Sequence, residues 1–408
     1  MRVRRGQPSM IVASAQRSEC TAAALTLAQK RLLAWALQWA GTLDLAVLML
    51  VAGVCSADPN SDPNILLSRS AKHPWRPQIP GPQTPGPCGG EVHAAQALAP
   101  GLVGPECTNL QGRDLDYAYL AEMSITGSLM DEVPNLMGLA RYDFRIRANG
   151  QDWPAAGHTM VGHMRLRNVR EALMRVVRDG VPGGFAELGV WRGGTCIYAR
   201  LLLNMLHARE SLSANRTVYL FDVFGQLVSY GSNKNVLAVS LDQVLHNFDK
   251  YGLLPEREAA DATPAALRRA AKSAGIKFVE GLFQDTVFDY YYQHTDSGGT
   301  PKLSIAVLRL DGNFYSSHED SLYAFWDFVP AGGIFIFDDG YHPEVQRFWR
   351  DFCADQLVDY TIMQRIDNNG GAWFVKPTNK ARVDKSKMRL KPFPSKDAAR
   401  VGSKKQRL

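Results

Sequence analysis

Residues 184–195 read GFAELGVWRGGT, a short apolar segment followed by a glycine-rich turn. We predict a β-strand over Gly184–Val190 and a helix from Thr195, because the turn glycines let a helix begin without a Cβ clash. The spacing E-x-G-x-x-x-G differs from the G-x-G-x-x-G of dinucleotide-binding loops. The carboxylate of Glu187 suits a positively charged aminosulfonium ligand better than a pyrophosphate, although an ordinary glycine-rich turn has the same pattern.

Short β-rich segments alternate with helical patterns between about residues 141 and 377. The predicted strands are Gly184–Val190, Thr217–Phe224, Lys277–Phe283, Leu303–Asp311, Gly333–Asp339, Tyr360–Ile366 and Ala372–Lys376. The predicted helices are Met164–Arg178, Thr195–His207, Leu241–Tyr251, Pro264–Ala274, Ser317–Phe328 and Pro343–Leu357. This alternation predicts an α/β fold with a doubly wound, mostly parallel sheet. Ligands of such sheets bind beyond the carboxyl ends of the strands, so the residues that follow each strand are the functional candidates.

Carboxylates follow the second and third predicted strands. Asp222 can accept both hydroxyls of a ribose, or it can cap a turn. After the third strand, Asp285 could meet an adenine amino group and Phe283 could stack on the base, whereas capping by Asp285 and Thr286 is the simpler interpretation.

Three further aspartates follow the fourth and fifth strands: Asp311 in RLDGNFY, and Asp338 and Asp339 in FIFDDGYH. We expect these two strands to be neighbours, about 4.8 Å apart, so the carboxylates repel one another unless a cation is present. Oxygen ligands favour a hard ion, so the sequence predicts Mg²⁺, or else Mn²⁺ or Ca²⁺, over zinc.

A metal at this edge of the sheet could bind a substrate hydroxyl and lower its pKa. Asp311 is the candidate base, because it would lie beside the same oxygen. His158 and His342 are secondary candidates that more often have structural or binding roles, and His318 ranks below them.

The 408-residue chain carries 46 basic and 40 acidic residues, but this charge is unevenly distributed. Residues 376–408 have a net charge of +10 and residues 1–31 of +5, so the rest of the chain is acidic at −9. This argues against a nucleic-acid-binding core, although the basic tail alone could touch RNA or anionic lipid. The six cysteines include no C-x-x-C pair, so we expect no structural zinc site.

The N-terminal region has the features of a targeting segment. A basic start precedes an apolar stretch over residues 32–57, which is long enough to span a bilayer but contains Asp44. A signal peptide or anchor, an organelle transit peptide and an ordinary buried helix all remain open, so membrane association through residues 32–57 is a candidate property. A secretory or organellar location is favoured over plain cytosol, and Cys88 could pair with Cys107 after secretion.

The predicted domain organisation has four parts. Residues 1–57 form the targeting segment, and residues 58–140 form a Pro/Gly-rich linker followed by a weakly helical region. Residues 141–377 form the catalytic domain, and residues 378–408 form a basic, disordered tail.

The motifs of residues 141–376 resemble those of the macrocin O-methyltransferase family. The matching stretches are HTMVG, RLRNV, GVPGGFAELGVWRGGT, FDVFGQL, NFDKYGLL, GLFQDT, VLRLDGNFYSS and FVPAGGIFIFDD. The resemblance implies a class I, Rossmann-like methyltransferase fold with a seven-stranded sheet. It also implies an enzyme that uses S-adenosylmethionine and Mg²⁺ to methylate sugar hydroxyls of natural products.

The resemblance also assigns roles to particular residues. It implies that the methyl donor is held by Thr159, Met160, Glu187, Gly189, Gly193, Thr195, Asp222 and Asp285. It implies that the metal is held by Asp311, Asp338 and Asp339, with Asp311 as the base. The resemblance also implies that His158, Thr159 and Met160 belong to the segment that folds over the donor.

Two positions depart from the family's D-G-D-x-Y-E pattern, because Asn313 and Ser316 replace carboxylates. Gly340-Tyr341-His342 also departs from the tyrosine that usually follows the aspartate pair. These changes bear on the acceptor or on ligand orientation rather than on the reaction.

Three hypotheses for the function remain open at this point. The first is a Mg²⁺-dependent O-methyltransferase of a sugar or a glycosylated natural product. The second is a methyltransferase of catechols or other small phenols, and the third is a non-catalytic binding protein of this fold, tethered to a membrane. An oligomer is compatible with each of them, and no nucleic-acid partner is expected.

Overall fold

The computed structural model describes residues 112–130, 136, 141–210, 216–227, 231, 234–255 and 263–399. The chain divides after residue 84, and every described residue lies in the second part. The targeting segment 1–57, residues 58–111 and the cysteines at 88 and 107 lie outside the described residues. Among the helices that are described, none combines the length and the apolar character needed to cross a bilayer.

The described strands form one seven-stranded sheet in the order β3-β2-β1-β4-β5-β7-β6. The strands are β1 Gly184–Leu188, β2 Val218–Asp222, β3 Ile276–Glu280, β4 Ile305–Leu310, β5 Ile334–Phe337, β6 Gln364–Arg365 and β7 Ala372–Val375. Strands β1 to β5 are parallel, and β7 runs antiparallel to β5 and β6. The predicted doubly wound, mostly parallel sheet is therefore confirmed, and strand order reverses between β1 and β4, where a ligand crevice forms.

Helices cover both faces of this sheet. They are α1 Arg113–Ile125, α2 Phe144–Ala148, α3 Gly162–Arg178, α4 Gly194–Glu210, α5 Lys234–Leu237, α6 Leu241–Lys250, α7 Pro264–Ser273, α8 Phe283–Gln293, α9 Tyr315–Phe325 and α10 Pro343–Gln356. Apolar residues of α1, α3, α4, α6 and α7 form the core on one face. Those of α8, α9 and α10 form a core rich in aromatic residues on the other face.

Three elements differ clearly from the sequence prediction. The third strand ends at Glu280 rather than Phe283, and α8 follows it where no helix is predicted. The aromatic residues of α8 have β propensity, but Phe288, Tyr290 and Tyr291 are buried in the core, and packing overrides propensity. Of the predicted strand Tyr360–Ile366, only Gln364–Arg365 pairs in the sheet, after a 3₁₀ turn at Tyr360–Ile362.

The folded unit extends beyond the boundaries predicted at 141 and 377. Helix α1 lies in the core, where Ala118 and Ile125 are fully buried. At the other end, residues 378–399 pack on the body and bury Val383 and Met388, so this part of the chain is not a disordered tail. The sequence does not predict this packing, because the few apolar residues that are buried are widely spaced among lysines and arginines.

Candidate active site

A cavity of about 950 Å³ lies at the carboxyl ends of the parallel strands, where the fold places a ligand. Most of the predicted site residues line it. They are Thr159, Met160, Glu187, Gly189, Thr195, Asp222, Asp311, Asp338 and Asp339. The structure therefore brings together side chains that lie up to 180 residues apart in the sequence.

Gly189, directly after β1, lies against the backbone that follows β4. Its φ is +93°, and a Cβ atom there would lie 2.1 Å from the carbonyl oxygen of Asp311. The predicted need for glycine at this turn thus has two physical causes, a backbone conformation that L-residues avoid and a lack of space. The close approach sets the β1–α4 turn directly beside the first aspartate of the acidic cluster.

Asp222 ends β2 and holds the neighbouring β1–α4 turn. Its carboxylate accepts hydrogen bonds from the backbone N–H of Val190 (2.7 Å), Trp191 (3.3 Å) and Phe224 (2.9 Å). Burial raises its pKa above the ordinary range, and these hydrogen bonds oppose that shift. The turn-holding role weighed from the sequence is therefore real, and it fixes the carboxylate at the edge of the cavity.

Glu187 is fully buried within β1 and is already paired. It forms an ion pair with Arg309 of β4 and accepts a hydrogen bond from the Cys196 thiol at 2.8 Å. Burial raises the pKa of Glu187 despite the attraction of Arg309. The carboxylate that the sequence assigns to an aminosulfonium ligand thus has a fixed guanidinium partner at its side.

The three predicted metal ligands converge. One carboxylate oxygen from each of Asp311, Asp338 and Asp339 lies within 4.8 Å of the others. Ligand oxygens around one Mg²⁺ ion lie about 3 to 4 Å apart, so small side-chain rotations would close this set on an ion. The donor set is all oxygen, as a hard cation requires, and the residues fit the predicted group.

The charged groups around these aspartates have an excess of negative charge that a cation would balance. Arg309 pairs with Glu187, Asp311 and Asp338, and Arg165 of α3 pairs with Asp338 and Asp367. Two guanidinium groups therefore face five carboxylates, which include Asp339.

The pKa values of the aspartates respond to this imbalance. Burial, followed by repulsion from Asp338, raises the pKa of Asp311 well above its usual range and that of Asp339 to about 6. For Asp338, Arg165 and Arg309 outweigh burial and lower the pKa. Asp338 is thus held as an anion, and a proton taken up by the cluster goes to Asp311 or Asp339.

Sequence reasoning missed both arginines. Arg165 lies 173 residues before Asp338, on a helix whose pattern gives no indication of its partner. Arg309 could have been found, because a charged residue inside the apolar strand VLRLD must be paired when the strand is buried.

Some predicted residues lie elsewhere. Gly193 is not among the residues that line the cavity, and a Cβ there would meet Val244 of α6. Asp285 lies in the first turn of α8, one residue beyond Phe283 and Gln284, which do line the cavity. The predicted contact between Asp285 and adenine thus stays a prediction without support from the cavity lining.

The three histidines have different surroundings. His342 lines the cavity beside Asp339, whereas His158 packs edge-on against Tyr251, with its backbone carbonyl accepting from Gly194 at 2.9 Å. His318 is buried and stacks on Phe337. Burial lowers the pKa of His158 and of His318 to about 4, so neither is suited to proton transfer at neutral pH.

Comparison with known proteins identifies a family. The sequence model described as Macrocin-O-methyltransferase (TylF) matches residues 108–259 and 268–375. The match begins before α1 and ends with β7, so it includes the whole sheet.

Curated relatives are similar over most of their own length. Demethyldecarbamoylnovobiocin O-methyltransferase of Streptomyces niveus is 34% identical over 251 residues, which are 57% of this chain and 81% of the relative. An 8-demethyl-8-(2,3-dimethoxy-alpha-L-rhamnosyl)-tetracenomycin-C 4'-O-methyltransferase of Streptomyces olivaceus is 32% identical, with 56% and 79% covered. Mycinamicin III 3''-O-methyltransferase of Micromonospora griseorubida is 28% identical, with 63% and 95% covered.

A solved structure has the same fold. The O-methyltransferase NovP superposes with a TM-score of 0.51 and 28% sequence identity, covering 65% of this chain and 99% of that chain. The described domain therefore corresponds to a complete methyltransferase.

Proposed function

Because this chain belongs to the macrocin O-methyltransferase family and is an S-adenosylmethionine-dependent O-methyltransferase, we propose that it methylates a sugar hydroxyl of a glycosylated natural product with the help of Mg²⁺. The observation that carries the proposal is the convergence of three carboxylates on the cavity that also contains the donor loop. The rhamnosyl-tetracenomycin in the name of one relative supports the acceptor class, and the names of the other two give a novobiocin derivative and mycinamicin III.

Asp311, Asp338 and Asp339 would hold the metal, which supplies positive charge beside the acceptor hydroxyl and lowers its pKa. Arg165 and Arg309 hold both oxygens of Asp338, so this carboxylate is oriented before any ligand arrives. Asp311 is partly exposed to the cavity and is the group placed to take the hydroxyl proton.

The methyl donor would be held by residues at the ends of β1 and β2. Asp222 is fixed by three backbone N–H groups beside Gly189 and would accept the ribose hydroxyls. Thr159 and Thr195, whose hydroxyls lie 3.4 Å apart, line the same region. The sulfonium carbon would then lie between these residues and the aspartates, as in-line methyl transfer requires.

The experiment is a comparison of donor binding with turnover in an Asp339→Asn variant. Asp339 is a better choice than Asp338, because removing Asp338 takes one carboxylate partner from each of two buried arginines. We expect turnover of a glycosylated acceptor to fall by at least about a hundredfold, since metal stabilisation is worth several kcal/mol. Calorimetry should show an almost unchanged Kd for S-adenosylhomocysteine.

The matched control is Asp397→Ala, which removes an exposed aspartate outside the cavity and should leave both quantities unchanged. Full turnover by Asp339→Asn, or undiminished wild-type turnover in EDTA, would remove the metal from the mechanism. Failure of the wild-type protein to bind S-adenosylhomocysteine would contradict the proposed donor site.

A further inference from the structure

Residues 384–394, here called the C-terminal strap, cross three helices on one face of the sheet. Asp384 exchanges hydrogen bonds with Gln356 at the end of α10 through its backbone N–H (2.8 Å) and carbonyl (2.9 Å). Phe393 packs edge-on against Phe288 of α8 with ring centroids 5.0 Å apart, and the Tyr292 hydroxyl donates to the Pro394 carbonyl at 2.7 Å. The family match ends at residue 375, so it assigns no role to the strap.

The middle of the strap reaches the cavity. The buried carboxylate of Glu319 on α9 accepts hydrogen bonds from the backbone N–H of Arg389 (2.6 Å) and Leu390 (3.3 Å). The Lys391 ammonium lies 2.8 Å from the carboxylate of Asp320 on the same helix. Leu390 and Lys391 themselves line the cavity together with Glu319 and Asp320. Two consecutive acidic residues of α9 thus fix two consecutive strap residues as part of the cavity wall.

This part of the wall lies toward β3. The Lys391 ammonium is 5.3 Å from the ring centroid of Phe288 on α8, the helix that follows β3. Phe283 and Gln284, at the start of the same helix, line the cavity. The proposed ribose contact, Asp222, ends β2, which pairs with β3, so a nucleoside held there extends toward α8 and the strap.

We propose that the strap completes the nucleoside end of the donor site, with Leu390 and Lys391 as binding residues for the adenosine part of the methyl donor. This inference rests on the proposed function, because it uses the donor orientation set by Asp222. Purine ring nitrogens accept hydrogen bonds, and the Lys391 ammonium has three donors, of which Asp320 takes one. Its side chain is 40% exposed, so further partners can reach it. Leu390, more than half exposed, offers apolar surface to a base.

The test is a measurement of donor affinity in Lys391→Met and Leu390→Ala variants. Methionine keeps most of the apolar stem of Lys391 over Phe288 and removes only the ammonium. We expect the Kd for S-adenosylhomocysteine to rise by about tenfold in Lys391→Met, as the loss of one charge-assisted hydrogen bond predicts. The KM for the donor should rise in parallel, while kcat at saturating donor and the KM for the acceptor stay near wild type.

The matched control is Lys396→Ala, which removes the same charge from an exposed position outside the cavity and should bind the donor normally. Melting of the ligand-free variants serves as the measure of folding, and Leu390→Ala tests the wall without changing a charge. Unchanged donor affinity in both strap variants would overturn the inference, and so would a change confined to the KM of the acceptor. A wild-type protein without affinity for S-adenosylhomocysteine would overturn the proposed function itself, so the two failures are distinguishable.

Discussion

At the scale of single residues, the site depends on backbone conformations that most side chains avoid. Gly189 has a φ of +93°, and Asn313, two residues after Asp311, has a φ of +58°. Asparagine and aspartate tolerate the left-handed region better than other L-residues, because their short polar side chains bond locally. The family's aspartate and the Asn313 found here therefore satisfy the same backbone requirement at this position. The substitution changes a charge in the cavity wall and keeps the loop.

Gly189→Ala tests whether space or backbone conformation is the stricter requirement at the donor loop. A Cβ atom would lie 2.1 Å from a backbone oxygen in addition to the strain of positive φ. We expect a loss of about 3 kcal/mol or more in the free energy of unfolding in urea, together with loss of donor binding. Gly180→Ala is the matched control, because its φ is +65° and nothing lies within 4 Å of the added carbon. An equal destabilisation by both substitutions would show that the close approach to Asp311 has no cost.

The acidic residues of the site are predictable from the sequence, and their partners are not. Asp222, Asp311, Asp338 and Asp339 each follow a short apolar run, and the parallel sheet places all strand ends on one edge. The pairing of Arg165 with Asp338 depends on how α3 lies across the sheet edge, which no local pattern encodes. The sequence therefore predicts the positions of the negative charges but not how far they are already balanced.

At the scale of elements, α9 connects the aspartate cluster to the aromatic core. It begins at Tyr315, four residues after Asp311, and its first turns carry Ser316 and Ser317 into the cavity wall. His318 points to the other side, where its ring stacks on Phe337 with centroids 5.4 Å apart and Nδ1 lies 3.0 Å from the Phe314 carbonyl. Its Nε2 is buried and has no hydrogen-bond partner among the described residues, so the ring is held neutral.

This buried histidine predicts acid sensitivity of the fold. Burial lowers the pKa of His318 to about 4, below the value of about 6.5 expected in the unfolded chain. The unfolded state therefore binds more protons between these two pH values. The contribution of neutral His318 to the free energy of unfolding is complete above pH 6.5 and is lost as pH falls toward 4. The difference between the pKa values in the folded and unfolded states corresponds to about 3 kcal/mol in the free energy of unfolding, at 1.36 kcal/mol per pKa unit.

Urea titrations of the wild type and of His318→Leu between pH 4 and 7.5 provide the measurement. The variant should be less stable at pH 7.5, because it loses the hydrogen bond to Phe314 and fills the space less well. Its stability should, however, fall less steeply below pH 6.5 than that of the wild type. Parallel pH profiles for the two proteins would exclude His318 as a source of acid sensitivity.

The elements that the sequence predicts well are those whose pattern is local. Strands β1, β2, β4 and β5 are fully buried or nearly so, and their short apolar runs are the pattern expected of buried strands. Helix α8 is not predicted by its local pattern, because its aromatic residues favour a strand by propensity. They become helical only through burial against α9 and the strap.

At the scale of the whole molecule, the charge asymmetry of the sequence is partly cancelled within the fold. Lys385 pairs with Asp327, Arg389 with Asp351 and Asp355, and Lys391 with Asp320. The basic tail that could be assigned to RNA or anionic lipid thus has partners on the acidic body over residues 385–391. The widely spaced apolar residues Val383, Met388 and Phe393 add packing to these pairs.

Removing the C-terminal segment should reveal which of these forces holds it. A chain that ends at Pro377 loses the buried side chains of Val383 and Met388 and the hydrogen bond from Trp326 Nε1 to the Lys380 carbonyl (3.0 Å). Each buried apolar side chain contributes about 1.5–3 kcal/mol, whereas an exposed ion pair contributes at most about 1 kcal/mol. We therefore expect truncation to lower the free energy of unfolding in urea by several kcal/mol. Adding 0.5 M NaCl to the full chain should not cause a loss of this size. A chain that ends at Ala399 is the control, because it loses four basic residues and keeps this packing. If high salt alone destabilises the full chain as much as truncation at Pro377 does, ion pairs rather than apolar contacts hold the segment, and the sequence-based emphasis on its charge was correct.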